Sequence, residues 1–303
     1  MRTNSDVHGV LVIDKPQGPT SHDVVAQARR LYGTRRVGHS GTLDPMATGV
    51  LVLLFGEATK LSSALSSTDK LYRARVNFGF ATDTDDALGT PTKWLKVNPD
   101  LFDNKRLKSA LAAELERTQQ IPPRFSAIKK DGVPQYRLAR RKIDVPLEPR
   151  PIKVHELRVL NVGVDYLDLQ LLSSKGYYVR SLARDLGERL DCPAHLGALR
   201  RLRTGAFDID SAIKWPADTA GPLMSVSRAA RSAIPSFELT EEGGQRARKG
   251  QILTLNDFVN AQELAGSESV MAWLFQDDLI ALGKWCDETT LRVTRGFVSA
   301  RRS

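Results

Sequence analysis

The chain has 303 residues, with 44 Lys and Arg against 35 Asp and Glu and a formal net charge of +9. A composition of 41% hydrophobic and 26% charged residues is that of a globular protein, and it excludes a disordered or fibrous chain. The longest purely apolar run, Val50 to Phe55, is too short to cross a bilayer, and the polar N-terminus lacks the apolar segment of a signal peptide. We therefore expect a cytoplasmic protein of one or two domains, with no membrane partner.

The first part of the chain alternates predicted strands and helices. Thr20 and Asp23 have the spacing of a capping pair at the start of a helix, and Gly33 follows its end. Residues 70 to 80 alternate apolar and polar side chains, which is typical of a half-buried strand. In chain order we predict a strand at 8–15, a helix ending at 31, a strand at 50–55, a short helix at 57–65, a strand at 70–80 and a helix at 104–120.

The remaining elements indicate a second, smaller unit at the end of the chain. Large apolar residues become scarce at 225–235, and short β-type segments separated by turn residues follow. In the rest of the first domain we predict a strand at 125–129, a basic helix at 136–142, paired strands at 154–160 and 162–172, and a helix at 180–190. In the unit at the end of the chain we predict strands at 271–275, 279–282 and 291–293. The pattern predicts an α+β domain over residues 1–230, followed by a small all-β domain over 231–303.

Positive charge is concentrated in the middle of the chain. Residues 124 to 158 contain ten Lys and Arg against four acids, and residues 175 to 205 contain seven against three. Residues 262 to 288, by contrast, contain six acids and one Lys. This uneven distribution favours a surface for a polyanion, and arginine is suited to phosphates and bases. Basic side chains that are simply solvated are the alternative.

The residues that bind metals or nucleotides in other proteins are not arranged for those roles here. The five histidines form no HxH or HExxH pattern, Cys192 and Cys286 are far apart, and the chain has neither a P-loop nor a GxSxG motif. We therefore expect no metal and no cofactor. Three acids, Asp83, Asp85 and Asp86, allow three interpretations: a polar turn, a group that orients an active-site cation, or a metal site.

The loop from Arg35 to Gly49 carries the strongest indication of chemistry. It combines two arginines, His39 and Asp44 with small residues, directly before a predicted buried strand. Pro45 holds Asp44 away from the helical conformation, so that its carboxylate can point in one fixed direction. From the residues alone, Asp44 is either a catalytic carboxylate or part of an ordinary Asp–Pro turn.

Ten segments, in order, resemble those of the TruB family of pseudouridine synthases. The resemblance extends from about residue 8 to residue 210, and its centre is the loop that contains Asp44. The segments are GVLVIDKPQG (9–18), TSHD (20–23), HSGTLDPMATG (39–49), GEATK (56–60), KLYR (70–73), TDTDD (82–86), QIPP (120–123), FSAIK (125–129), SKGYYVR (174–180) and HLGALRRLRTG (195–205).

The resemblance implies a fold and an activity. The fold is α+β, with a mixed and mainly antiparallel central sheet flanked by helices. Residues 237–250 resemble the start of a PUA-type β domain, in a tail like those of actinobacterial relatives. The activity is the isomerisation of uridine-55 in the TΨC arm of tRNA to pseudouridine, by base flipping and without metal or cofactor. A monomer with no obligatory protein partner is expected.

The same resemblance implies roles for individual residues. Asp44 corresponds to the essential aspartate, Arg180 to the arginine that pairs with it, and Asp86 to an acid on the other side of that arginine. An arginine at this distance would lower the pKa of the aspartate and keep it ionised. Tyr72 corresponds to the tyrosine that stacks on the target base and helps to remove the C5 proton.

Further residues are implied around the base and along the RNA. Tyr178 and Leu199 would line the base pocket, although both would be interpreted as core without the family. His39 would lie beside the flipped nucleotide, and Lys15 would either contact RNA or support the scaffold. The basic residues expected to face tRNA are Lys129, Lys130, Arg137, Arg140, Arg141 and Lys142.

Two rival hypotheses use the same surface. The first is a catalytically idle protein that binds or folds RNA, and the intact Asp44, Tyr72 and Arg180 argue against it. The second is a guide-RNA-dependent relative of the dyskerin type, whose terminal extensions for protein partners we do not find in this sequence.

Overall fold

The computed structural model describes residues 7–102, 104–126, 128–130, 133–135, 138, 141, 143, 146–264 and 270–298. Within these ranges the α-helices are α1 (Ser21–Leu31), α2 (Ser62–Ser66), α3 (Asn104–Leu115), α4 (Val179–Arg189), α5 (Val226–Ala233) and α6 (Glu241–Arg248). Short 3₁₀ helices are found at Gly56–Leu61, Ile209–Ser211, Leu255–Asp257 and Ala261–Leu264. No helix of the described residues is long and apolar enough to span a membrane.

The strands account for most of the remaining regular structure in these ranges. In chain order they are β1 (Gly9–Lys15), β2 (Val37–Ser40), β3 (Thr48–Phe55), β4 (Lys70–Phe78), β5 (Phe80–Thr82), β6 (Pro91–Trp94), β7 (Gln119–Gln120), β8 (Lys129–Lys130), β9 (Val133–Pro134), β10 (Arg150–Pro151), β11 (Val154–Val162), β12 (Tyr166–Ser173), β13 (Ala194–Thr204), β14 (Phe207–Asp208), β15 (Ile213–Lys214), β16 (Ser236–Glu238), β17 (Leu253–Thr254), β18 (Met271–Phe275), β19 (Asp278–Trp285) and β20 (Thr290–Gly296).

A nine-stranded sheet organises the fold. Its main path is β11-β12-β4-β13-β3-β1-β15, with β2 on β3 and β14 on β13. The β13/β3 and β1/β15 pairs are parallel and the others are antiparallel, so the predicted mixed, mainly antiparallel sheet is confirmed. Strands β3 and β13 are paired only where Arg200 meets Thr48 and Arg201 meets Gly49. The sheet therefore has two halves joined over a short distance.

The two faces of this sheet bury different sets of residues. One face packs against α1, α3 and α4 and forms the larger hydrophobic core. On the other face, Val10 and Val52 pack with Ala230 of α5 and with Leu274 and Leu282 of the second sheet. The second sheet, of order β16-β18-β19-β20-β17, is thus bound to the first by a shared apolar core.

Local sequence signals explain where α1 begins. The Thr20 side chain accepts a hydrogen bond from the Asp23 amide (3.1 Å), and the Asp23 carboxylate accepts one from the Thr20 amide (2.9 Å). This reciprocal pair satisfies amides that have no partner within the helix. The predicted start of the helix is confirmed, which fixes the loop before it against the sheet.

Several sequence predictions differ from the structure. The 70–80 strand is broken at Gly79, which has a positive φ, and the helix predicted to reach 120 ends at Leu115. The long strand β13 and the helices α5 and α6 were not predicted, and α6 makes the predicted all-β tail wrong. Among the described residues of the predicted 125–129 strand, which are 125, 126, 128 and 129, only residue 129 lies in a strand, and most of the 136–142 helix lies outside the described residues.

Gly49, at the junction of the two sheet halves, provides a test of this packing. Its φ is +102°, and a Cβ there would lie 2.1 Å from the Arg201 carbonyl oxygen. Gly49→Ala should lower the free energy of unfolding by more than about 2 kcal/mol, measured by denaturant titration. Gly33→Ala is the control, because Gly33 also has a positive φ but no atom lies within 4 Å of the position that a Cβ would take, so only the roughly 1 kcal/mol of backbone strain applies. Equal losses for the two variants would contradict the close approach at Gly49.

Candidate active site

The loop of residues 41–47, called here the Asp44 loop, connects β2 to β3 at the junction of the sheet halves. Ser21 holds it from α1: its hydroxyl accepts from the Leu43 amide (2.9 Å) and donates to the Leu43 carbonyl (3.1 Å). The Gly18 amide donates to the Pro45 carbonyl (2.8 Å), and the Ala47 amide to the Asp44 carbonyl (3.0 Å). These bonds fix the backbone on both sides of the Asp44 carboxylate.

The Asp44 carboxylate faces an arginine from the other half of the fold. Arg180, in the first turn of α4, approaches Asp44 through Nε at 2.9 Å and through Nη2 at 3.4 Å. The same guanidinium donates to the carbonyls of Phe125 (2.9 Å) and Thr84 (3.2 Å). Because it is held on several sides, Arg180 presents a planar pair of donors to the carboxylate in one orientation.

Asp86 is a second carboxylate close to Arg180, and it approaches the same nitrogen as Asp44 does. Its Oδ2 lies 3.8 Å from the arginine Nε, and its Oδ1 accepts from the Thr84 hydroxyl (2.8 Å) and the Leu88 amide (3.0 Å). Of the three interpretations that the sequence left open for this acidic segment, the geometry favours the one in which an acid orients a cation.

A second ion pair lies one helical turn further along α4. Arg184 contacts Asp85 at 3.2 Å, and Asp85 has a φ of 61°. Burial raises the pKa of Asp85 to about 6 despite the attraction of this arginine. Adjacent acids of the turn thus pair with arginines four residues apart, which ties the turn to α4.

Burial, rather than its ion pair, dominates the protonation of Asp44. Burial raises the pKa of Asp44 above the ordinary aspartate value, and the negative charge of Asp86 adds to this rise. Arg180 and Lys15 act in the opposite direction without offsetting it. The sequence-based expectation of a lowered pKa is therefore wrong in its net direction. A cleft that removes water from a carboxylate makes it more basic, which suits a group that takes part in chemistry.

The residues expected around the base come from β4, β13 and the start of α4. Tyr72 in β4 is 8% exposed, and Leu199 in β13 is equally buried on the same face of the sheet. Tyr178 directly precedes α4 and is partly exposed, and its pKa is raised by burial although Arg180 lowers it. Tyr178 and Asp44 interact electrostatically, so the two side chains lie near each other.

The remaining two residues of the expected pocket are His39, which is partly buried, and Lys15. His39 in β2 packs edge-on against His22, and burial lowers its pKa to about 4, so that it is neutral at pH 7. Lys15 is fully buried, and its Nζ donates to the Pro16 carbonyl (2.8 Å). Burial lowers the pKa of Lys15 to about 8 against the attraction of Asp44. Of its two open roles, this position favours support of the site over contact with RNA.

The residues expected to face RNA are only partly described. Lys129 and Lys130 form β8, and Arg141 is exposed in a turn. Arg137, Arg140 and Lys142 lie outside the described residues. Among the described residues there is no group of three or more His, Cys, Asp or Glu that could hold a metal ion.

Comparison with known proteins places this site in a family. The family model described as TruB family pseudouridylate synthase (N terminal domain) matches residues 29–179, and that of the tRNA pseudouridylate synthase B C-terminal domain matches residues 180–216. The tRNA pseudouridine synthase B of Syntrophotalea carbinolica is 41% identical over 80% of this chain and 81% of its own length. That of Geobacter sulfurreducens is 37% identical over 95% of this chain and 99% of its own length.

Solved structures with this fold are also found. The chain matches one in a Cbf5-Nop10-Gar1 complex with a TM-score of 0.71 and 24% identity, over 96% of this chain and 84% of that one. A sheet in two halves, with an arginine-paired aspartate at their junction, defines with these matches a pseudouridine synthase. The chain belongs to the TruB family, because relatives about 40% identical cover most of its length. It is accordingly an isomerase.

Sequence reasoning missed two residues of the site. Arg184, one turn after Arg180, pairs with Asp85, and its i+4 spacing from Arg180 in a predicted helix was a usable signal. Arg201 lies under the Asp44 loop on β13. It was one of several arginines in a motif, and without a predicted strand there was no sign that it points inward.

The raised pKa of Asp44 predicts a stability effect of definite sign. At pH values between the ordinary and the raised pKa, Asp44 binds a proton more often in the folded protein than in the unfolded chain. The free energy of unfolding therefore falls as the pH rises through this range, and above it the ionised Asp44 destabilises the fold. Asp44→Asn should therefore abolish activity and yet raise the free energy of unfolding at pH 7. The gain should shrink as the pH falls through this range. Denaturant titrations at several pH values measure it.

Asp168→Asn is the matched control for this experiment. Hydrogen bonds from Arg75 lower the pKa of Asp168, so its removal should reduce stability at pH 7. A less stable Asp44→Asn protein at pH 7 would show that ionised Asp44 stabilises the fold.

Proposed function

We propose that this protein converts uridine-55 in the TΨC loop of tRNA to pseudouridine. The observation that carries the proposal is the Asp44–Arg180 pair at the junction of the sheet halves, with Tyr178 beside it. Relatives named tRNA pseudouridine synthase B support tRNA as the substrate. The basic middle of the chain supports a polyanionic partner.

The proposed reaction is an isomerisation within one nucleotide. The bond from C1′ to N1 of the base breaks, the base rotates, and a bond forms from C1′ to C5. The proton on C5 leaves, and N1 takes up a proton, so no oxidant, reductant or second substrate is needed. The target base must leave its stack before it can reach the cleft, which costs a few kcal/mol that phosphate contacts can offset.

The residues of the site have separate roles in this scheme. Asp44 acts as the essential carboxylate, by attack on the sugar, by attack on the base, or by removal of a sugar proton. Each route requires the ionised form, which Arg180 favours while burial opposes it. Asp86 helps to hold Arg180, and Tyr72 stacks on the base and helps to remove the C5 proton. Leu199, Tyr178 and neutral His39 enclose the base and its neighbour.

The organisation of the whole chain follows from this proposal. A monomer without an obligatory protein partner is proposed, because base flipping needs only one active site. We propose a catalytic domain over residues 1–230 and a C-terminal domain over 231–303, with the second sheet in the latter. The cytoplasm, where tRNA is modified in bacteria, is the proposed location.

Tritium release from tRNA labelled at C5 of uridine tests the function. The wild-type protein should release one equivalent per tRNA, and Asp44→Asn should release none, because the essential carboxylate is replaced by an amide of the same shape. Asp168→Asn is the matched control and should retain activity. If the wild type releases no tritium but binds tRNA tightly, the protein folds or binds RNA without catalysis. If Asp44→Asn retains release, the proposed site is wrong.

The proposed RNA face predicts a change in salt dependence. Arg140→Ala with Arg141→Ala should weaken tRNA binding and reduce the slope of log affinity against log salt by roughly one per lost phosphate contact. Filter binding at several salt concentrations measures both. Arg292→Ala with Arg295→Ala changes the charge equally on exposed positions of β20 and should leave the slope unchanged. An unchanged slope in the first variant would remove these arginines from the tRNA face.

A further inference from the structure

A buried arginine outside the assigned set lies beneath the Asp44 loop. Arg201 is 1% exposed, and its side chain points to the face of the sheet that carries Tyr72. Its neighbour Arg200 points to the other face and pairs with Asp14 at 2.7 Å. Among the described residues no carboxylate oxygen lies within 4 Å of the Arg201 guanidinium. A buried charge without an ion pair lowers the stability of the fold. This indicates that Arg201 has a role other than stabilising the fold.

The contacts of Arg201 are to backbone carbonyls on both sides of the Asp44 loop. Nη2 donates to the Gly41 carbonyl (2.9 Å) and Nη1 to the Thr42 carbonyl (3.4 Å). Nε donates to the Val50 carbonyl (2.8 Å), in the strand that follows the loop. One guanidinium therefore fixes the chain before and after Asp44, while Ser21 holds the middle of the loop.

Arg201 also contacts Tyr72. The two residues are directly opposite each other on β13 and β4, so their side chains lie on the same face. Arg201 interacts electrostatically with both Tyr72 and Asp44. The tyrosine that would stack on the base and the loop that carries the essential carboxylate thus lie beside one cation.

The contacts of this side chain suit an arginine better than a lysine. A planar guanidinium with five donors can serve three carbonyls at once, whereas an ammonium has three donors in a different geometry. Lys15 is buried nearby with a pKa of about 8, which indicates that a lysine here would be partly neutral at physiological pH. An arginine remains charged.

We propose that Arg201 is a positioning residue that fixes the Asp44 loop and Tyr72 relative to each other through one buried guanidinium. The proposal rests on the proposed function for its catalytic consequence. Arg201 does not contact the substrate in this scheme and acts only through the groups that it holds. It should therefore affect the rate of the chemical step more than the affinity for tRNA.

Single-turnover rates and tRNA dissociation constants of two variants test this role. Arg201→Met should slow pseudouridine formation by about 100-fold, as expected for a misplaced catalytic group, with tRNA affinity within about 3-fold of the wild type. Arg200→Met, the adjacent arginine on the opposite face, is the matched control and should react within about 3-fold of the wild type. Equal rates for the two variants, or a loss confined to affinity, would overturn the proposal.

Arg201→Lys separates the charge from the shape of the side chain. It retains a cation but not the planar set of donors, so its rate should remain at least about 10-fold below that of the wild type. Full activity in this variant would mean that the charge alone suffices, which would overturn the positioning role. This variant also carries the test if Arg201→Met does not fold.

Hydrogen–deuterium exchange supplies a readout independent of activity. In Arg201→Met and Arg201→Lys, amides of residues 41–47 should exchange at least about 10-fold faster, while α1 keeps its wild-type protection. In Arg200→Met, residues 41–47 and α1 should both keep their wild-type protection from exchange. Unchanged exchange of the loop would overturn the inference even if tRNA is not the substrate. Absence of tritium release from the wild-type protein would instead overturn the proposed function alone.

Discussion

The short contact between the two halves of the central sheet determines where the site can form. Strands β3 and β13 share only two residue pairs, at Thr48 and Gly49. Beyond this point the strands separate, and the backbone groups of the Asp44 loop must find partners outside the sheet. They find them in Ser21 and Arg201, which come from opposite halves. The loop is thereby held between two halves of the core, and its carboxylate faces Arg180 across the gap.

Placing charges in this gap has opposing effects on stability and function. Burial makes ionised Asp44 unfavourable, and Arg180 recovers only part of that loss. Arg180 itself is held by carbonyls of Phe125 and Thr84 and by Asp86, so its position does not depend on Asp44. Ionised Asp44 can thus be kept in this unfavourable environment because Arg180 is held in place by groups other than Asp44. Such preorganisation lowers the reorganisation needed during a reaction.

The elements that could be predicted from sequence are those with a regular apolar pattern or a clear capping signal. Strand β3 is a continuous apolar run, and α1 has a complete capping pair at its start. Strand β13 was missed because His195 and Arg201 occupy positions that face inward, where an apolar residue would have shown the alternation. Helix α6 was missed because Gly243 interrupts the helical pattern. A glycine is required there, since a Cβ on residue 243 would lie 2.1 Å from the Asp257 carbonyl oxygen. In the site, the depth of burial could not be predicted from sequence, and burial decides the pKa of Asp44.

The alternation of strand side chains divides the charges of the sheet into two groups. Lys15 and Arg201 face the site, while their neighbours Asp14 and Arg200 form an ion pair on the other face. Asp14 therefore does not neutralise the site. With Lys15 protonated, the described site residues Lys15, Arg180, Arg184 and Arg201 carry four positive charges against the three of Asp44, Asp85 and Asp86. This excess is in a partly desolvated cleft, where it acts more strongly than a surface charge. It favours entry of a nucleotide that brings its own phosphates, and it weakens above pH 8 as Lys15 loses its proton.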